Sequence, residues 1–262
     1  MANYEKDEAI CLRAIDFSET SQVVTLLTRQ NGIVALLAKG SRKMAKAGTF
    51  SFGAPIDQLA RGEVVFILPR GTAELGTVTA WNLLDHLAAV RKSLPAFLAG
   101  QILCEVIIAL LSPHEPHPEL YDELIAGFSA LAEAQSKRMF LSMAKSVLAA
   151  TGYQPHLENC LICKTPVRPG VRAQFCPGSG GACCIGCPAQ SKTLQVDGGV
   201  LLALARLPAP SVLLSSAASK PADAAALRAA AAVLMAAIEA ATDRPLRTRW
   251  ALDALFGKSR TV

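Results

Sequence analysis

Two C-x2-C pairs twenty residues apart constrain this chain more than any other feature: Cys160 and Cys163 in ENCLICK, then Cys184 and Cys187 in GGACCIGC. A C-x2-C knuckle turns two thiolates toward one point, and two knuckles complete a tetrahedral sulfur shell suited to Zn²⁺. The spacing C-x2-C-x20-C-x2-C lies at the upper edge of that template. Gly178, Gly180 and Gly181 loosen the backbone leading into the second knuckle. Cys176 and Cys183 are left over; Cys183 with Cys187 would make the less typical C-x3-C, so the expected ligands are Cys160, Cys163, Cys184 and Cys187. With four protein thiolates no position stays open for water, so one structural zinc per chain is expected rather than a catalytic one.

One enzymatic alternative shares these residues. His156-Leu157-Glu158 followed by Cys184 and Cys187 imitates the H-x-E and C-x2-C arrangement of zinc deaminases. It lacks the proline before the second pair, and it leaves Cys160 and Cys163 unexplained.

Hydrophobic residues make up 52% of the 262 and charged ones 18%, which describes a folded chain. Alanine supplies much of the apolar share and aromatics only 5%, so the core should be aliphatic and largely helical. MANYEKDEAI has no basic stretch leading into an apolar run, so no secretory signal is expected. The most membrane-like segment, residues 94–111, is about a minimal span and carries Gln101 and Glu105 near its middle. It reads as a core helix, with no membrane partner. The expected compartment is the reducing cytoplasm, where clustered cysteines serve metals or catalysis rather than disulfides.

Residues 8–80 read as about five short strands rich in Val, Ile, Leu and Thr: EAICLRAIDF, QVVTLLTRQ, GIVALLAKG, EVVFILP and ELGTVTA. Turn signals at Asn31-Gly32, Arg61-Gly62 and Arg70-Gly71 separate them. So many short strands in so little chain suggest a small closed barrel. From Trp81 the period becomes helical. Helices are expected at 94–111, 119–134, 137–151, 197–207, 221–241 and 245–256, with Gly152 just past the third. Residues 158–190 read as a loop-like insertion. The expected organisation is an α+β multidomain chain: a barrel over 1–80, a helical domain in two parts over 81–157 and 191–262, and a four-cysteine zinc finger over 158–190.

Charge is concentrated rather than spread. No acidic residue occurs between Glu19 and Asp57, a window holding Arg29, Lys39, Arg42, Lys43 and Lys46. Four of these fall in AKGSRKMAK, directly after the GIVALL strand. A basic loop on a small barrel suits a phosphate backbone, each neutralised phosphate releasing counterion; a solvated loop of a mildly basic protein is the bland alternative. Phe50 and Phe52 follow, placed either to stack bases or to pack in the barrel. Arg244, Arg247, Arg249, Lys258 and Arg260 form a second basic group, read as helix-end charge. No phosphate-binding glycine loop and no nucleophile–base pair stands out, and the histidines at 86, 114, 117 and 156 are scattered. The chain reads as a binding protein, not an enzyme.

LRAIDFSETSQVVTLLTRQNGIVALLAKGSRK resembles the strand pair and basic turn that open the RecO family of bacterial recombination and DNA-repair proteins. LAATGYQPHLENCLIC, GGACCIGC and RPLRTRWALDAL resemble later segments of that family, in the same order, over nearly the whole chain. The resemblance implies an N-terminal OB-fold that binds single- and double-stranded DNA and anneals complementary strands. It implies action with RecR as a mediator that helps RecA load onto strands coated by single-stranded-DNA-binding protein (SSB), whose acidic C-terminal tail is also contacted. By position Lys39, Arg42, Lys43 and Lys46 correspond to the family's basic loop, with Arg13 and Arg29 as further candidates. Cys176 and the extra Cys183 depart from the family pattern. A zinc-stabilised adaptor that binds only proteins is the alternative from another class.

Overall fold

Alternation shapes the N-terminal region. In β2 (Gln22–Thr28) and β3 (Gly32–Ala38), Val24, Leu26, Val34, Leu36 and Ala38 point into one core, and the residues between them point out. β1 (Tyr4–Asp16), β4 (Arg61–Ile67) and β5 (Gly76–Asp85) complete the sheet. The strands close in the order β1-β2-β3-β5-β4, all pairs antiparallel except β3 with β5. A closed five-stranded barrel of this order is an OB-fold. The computed structural model describes residues 4–43, 52, 55–68, 75–132, 136–188, 192–215 and 223–256; Lys46, Phe50, Lys258 and Arg260 lie outside them.

Two local features shape the barrel's outer face. Between Cys11 and Arg13 the β1–β2 register shifts. Ala9 and Cys11 point inward before the shift and Ala14 after it, so Arg13 and Ile15 face out. At the β2–β3 turn Gly32 has φ +65, and a Cβ there would run into the Glu115 backbone. β5 carries Trp81 into the barrel core and continues to Asp85, beyond the point where the sequence period turns helical.

Residues Met1–Lys92 and Leu111–Ser129 form one compact unit, Ser93–Leu110 and Ala130–Val262 another. The first holds the barrel, α1 (Ala88–Lys92) and most of α3 (Pro118–Ala130). The second is built on α2 (Leu94–Leu110), whose Leu98, Ile102, Leu103, Val106 and Ile107 are buried. α2 packs against α4 (Ser136–Ala150), α7 (Ala224–Thr242) and α8 (Arg249–Phe256); α5 (Gly198–Ala205) and α6 (Pro210–Ser215) pack on α7 and α4 respectively. Among the described residues α7 is the helix long and apolar enough to cross a membrane by length and composition, and its Val233, Leu234, Met235 and Ile238 are buried within this unit.

Glu105, a polar residue inside α2, has a structural task. Glu105 accepts hydrogen bonds from the Arg247 N–H (2.7 Å), the Thr248 N–H (2.8 Å) and the Thr248 hydroxyl (2.7 Å), so it caps the start of α8. Burial pushes its carboxyl up, but these donors outweigh burial and hold it below the usual carboxylate range. The segment read as loop-like, 158–190, contributes two strands, β6 (Arg172–Cys176) and β7 (Gly181–Cys184), to a three-stranded sheet in the order β7-β6-β8 whose third strand, β8 (Leu194–Asp197), lies just beyond it. Gly, Ala, Cys and Gln have little preference for strands, so pairing with neighbours rather than local propensity makes these strands.

Candidate metal centre and nucleic-acid interface

The first knuckle is a tight turn: the Lys164 N–H donates to Cys160 O (3.0 Å) and the Cys160 N–H to Thr165 O (2.9 Å). The second sits at the end of β7, closed by the Cys187 N–H on Cys184 O (3.1 Å) and held by Gln174 Nε2, which donates to Cys184 O (2.9 Å) and Cys187 O (3.3 Å). The knuckles are laced together where the Leu161 N–H donates to Ala182 O (2.8 Å) and the Cys184 N–H to Cys160 Sγ (3.3 Å). Gly180 takes φ +68 ahead of β7, and a Cβ on Gly181 would stand 2.7 Å from His156 O. The glycines before the second knuckle therefore let two backbone segments meet.

The result is four sulfurs, from Cys160, Cys163, Cys184 and Cys187, all within 4.8 Å of one another. Cys160 and Cys187 Sγ are 3.8 Å apart, Cys163 and Cys184 Sγ 3.6 Å. Thiolates at a Zn–S distance of about 2.3 Å stand about 3.8 Å apart at the corners of a tetrahedron. No two of the eight cysteines are joined in a disulfide. The electrostatics fit a dication as well. Burial pushes the Cys160 thiol up, yet the N–H groups of Cys163, Cys184 and Ile162 outweigh it and set it at about 6. Thr165 lowers Cys163. Cys184 and Cys187 are pushed up, to about 12 and about 11, first by hydrogen bonding to Cys163 and then by burial. The first knuckle is thus shifted toward the thiolate and the second away from it, and a bound cation would favour the thiolate form of all four.

Successive residues of a strand face opposite ways, which separates Cys183 from Cys184. Cys184 turns to the four-sulfur cluster. Cys183 is buried with Cys176 on the neighbouring strand, and burial first, then Cys176, pushes its thiol to about 11. The donor set also answers the deaminase alternative: the first knuckle supplies two of the four sulfurs, and a shell of four thiolates leaves no site for the attacking water.

On the barrel, the cations after β3 are fixed by a polar brace. The side chain of Gln22, at an inward position of β2, accepts from the Ser41 hydroxyl (3.0 Å) and the Ile56 N–H (3.2 Å), while its Nε2 donates to Ile56 O (3.4 Å). The Arg42 N–H donates to Thr20 O (3.1 Å), tying this turn to the β1–β2 turn. The named cations then divide into two kinds. Arg29 donates through Nε and Nη2 to both Asp122 oxygens (2.9 and 2.8 Å), and Arg42 pairs with Asp16 (2.5 Å). Lys39, Lys43 and Arg13 are exposed and make no ion pair among the described residues. Phe52 packs against the barrel core instead of presenting a free ring.

Family comparison agrees with this architecture. The family model described as Recombination protein O N terminal matches residues 1–87, and Recombination protein O C terminal matches 91–249. The chain belongs to the RecO family. It is 34% identical over 250 residues to the DNA repair protein RecO of Anaeromyxobacter dehalogenans (strain 2CP-C), covering 94% of each chain. With the DNA repair protein RecO of Rhodopirellula baltica it shares 31% over 202 residues, 76% of this chain and 73% of the relative. With that of Myxococcus xanthus it shares 28% over 193 residues, 73% and 75%. Membership makes this a RecO-type DNA repair protein and not an enzyme, the class that the absence of a nucleophile–base pair suggests from the sequence.

Sequence reasoning misses Gln22 and Ser41, although a glutamine at an inward position of an alternating strand is itself a signal. It misses Asp16 and Asp122 as well, because a count of charges does not see which are paired.

Proposed function

We propose that this RecO protein is a recombination mediator that binds DNA through its barrel, anneals complementary single strands and, with RecR, helps load RecA onto SSB-coated single strands. Its membership of a DNA repair family over nearly the whole chain carries the reading. The exposed, unpaired cations beside the β3 turn of an OB-fold support it, since phosphate neutralisation supplies most of the affinity of such a surface. The DNA site comprises Lys39, Lys43, Arg13 and Lys46 as direct phosphate contacts. Arg42 contributes after leaving Asp16, and Arg29 contributes least because Asp122 holds it in two bonds. RecR and the acidic SSB tail are the expected protein partners, and the cytoplasm, about the nucleoid, is the place of action.

Cys160, Cys163, Cys184 and Cys187 hold one zinc whose role is structural, keeping the 158–190 module folded. The bound ion would supply positive charge to four thiolates and take no part in chemistry.

Strand annealing tests the reading. Complementary oligonucleotides, bare and SSB-coated, are mixed with wild type and with a variant carrying Lys39→Ala, Arg42→Ala, Lys43→Ala and Lys46→Ala. Annealing by the wild type that collapses in the variant, at unchanged zinc content, is the expected result. No annealing by the wild type would leave a zinc-held adaptor.

A further inference from the structure

The register shift in β1 leaves an apolar strip on the outside of the barrel, next to its cations. Beyond the shift Ile15 pairs with Val23, and Val23 with Leu37, so the three outward side chains are cross-strand neighbours on β1, β2 and β3. Arg13 pairs with Thr25, and Thr25 with Ala35, one step along the same face. Phe17 and Lys39 continue the odd-numbered rows at the other end. Phe17 is 66% exposed and Ile15 45%, and what sets them apart is that they lie together with Val23 and Leu37 rather than singly. The Phe17 backbone is anchored, because its N–H donates to Ser21 O (2.9 Å) and Thr20 O accepts from the Arg42 N–H (3.1 Å), which ties the turn that carries it to the basic turn. Of the two carboxylates here, Asp16 is occupied by Arg42, and Glu19 stands in the turn itself.

An apolar strip with cations at both ends matches a strand whose bases are free: phosphates meet Arg13, Lys39 and Lys43, while base faces meet carbon. A duplex presents phosphates and base edges but keeps its base faces stacked on one another. We propose that Phe17 stacks on an unpaired base and that Ile15, Val23 and Leu37 seat its neighbours, making this face the determinant of single-strand preference. The inference rests on the DNA-binding reading and divides that site in two, cations for any phosphate chain and the Phe17 strip for exposed bases.

The test is equilibrium binding of the full chain to a labelled oligo-dT strand, an abasic strand of equal length and a duplex, each over a salt series. Stacking on an aromatic side chain is worth about 1–3 kcal/mol per base, so Phe17→Ala weakens oligo-dT binding between about fivefold and about a hundredfold. It leaves the abasic strand and duplex within about twofold and the salt slope unchanged, and Phe17→Trp restores oligo-dT affinity. Because the ring is exposed, its removal leaves the fold intact, which the unchanged duplex binding reports. Equal losses on all three ligands, or no loss on oligo-dT, overturn the inference while the DNA-binding reading stands. A wild type that binds none of the three removes that reading, and the inference with it.

Discussion

Ion pairing inside the barrel unit should decide which of its cations DNA sees. Lys39 and Lys43 are unpaired among the described residues, whereas Arg29 is clamped by both oxygens of Asp122. For a single strand, log K falls with log salt at about 0.7 per neutralised phosphate, so at 0.15 M each contact is worth about 0.6 of a decade. Lys39→Ala with Lys43→Ala should weaken single-strand binding about fifteenfold and make the salt slope shallower by about 1.4. The matched perturbation is Arg29→Gln with Asp122→Asn, which removes a cation and its partner at constant net charge. That variant should bind within about twofold of wild type with its slope unchanged. Fluorescence anisotropy over a potassium chloride series reads both quantities. A double lysine variant with wild-type slope, or a pair variant that loses as much as the lysines, would refute the reasoning.

Other consequences are open to measurement. Cys160→Ser should release the metal and unfold the 158–190 module before the barrel, seen as a separate low-temperature transition and as proteolysis confined to that module. Glu105→Ala removes the cap of α8 and should cost about 1–2 kcal/mol, lowering Tm by about 2–4 °C per kcal/mol in calorimetry. Asp122, held below the usual carboxylate range by hydrogen bonding to Arg29, contributes stability that is present above its unfolded value of about 3.9 and is lost as pH falls through its lower folded value. Asp122→Asn should therefore flatten the acid limb of the stability curve below about pH 3.9, and the difference from wild type should shrink as pH falls. Gln22→Leu, which touches no cation, should still weaken DNA binding by releasing Ser41 and the turn that carries Lys39 and Lys43, with the loss read by the same anisotropy titration.

The five barrel strands are legible because short runs rich in Val, Ile, Leu and Thr follow one another between turn signals, and the knuckles are legible because metal geometry fixes their spacing. Strand order is not written in any one segment: β3 meets β5 across a stretch that includes all of β4. β6, β7 and β8 escape notice since RAQFC, GACC and LQVD carry no strand signature apart from their partners. The choice of Cys184 over Cys183, favoured by spacing alone, has its physical basis in the alternation of β7. The division of the cations into paired and unpaired is hidden, because Arg29 and Asp122 are ninety-three positions apart. The outward strip is hidden for another reason: Ile15 faces out only because of a one-residue slip in β1 that no local pattern announces.

The bond between Glu105 and the start of α8 joins residues 142 positions apart, and every helix packed on α2 follows it in the chain. At about 5–20 residues per second of synthesis, α2 waits roughly 7–30 s between leaving the ribosome and meeting the helix it caps. During that interval the buried face of α2, Leu98 to Ile107, has only its later-arriving neighbours to cover it. The nascent chain thus has a predictable period of greatest vulnerability. It closes when α8 arrives, which makes truncations near residue 249 more damaging to folding on the ribosome than their few lost contacts would imply.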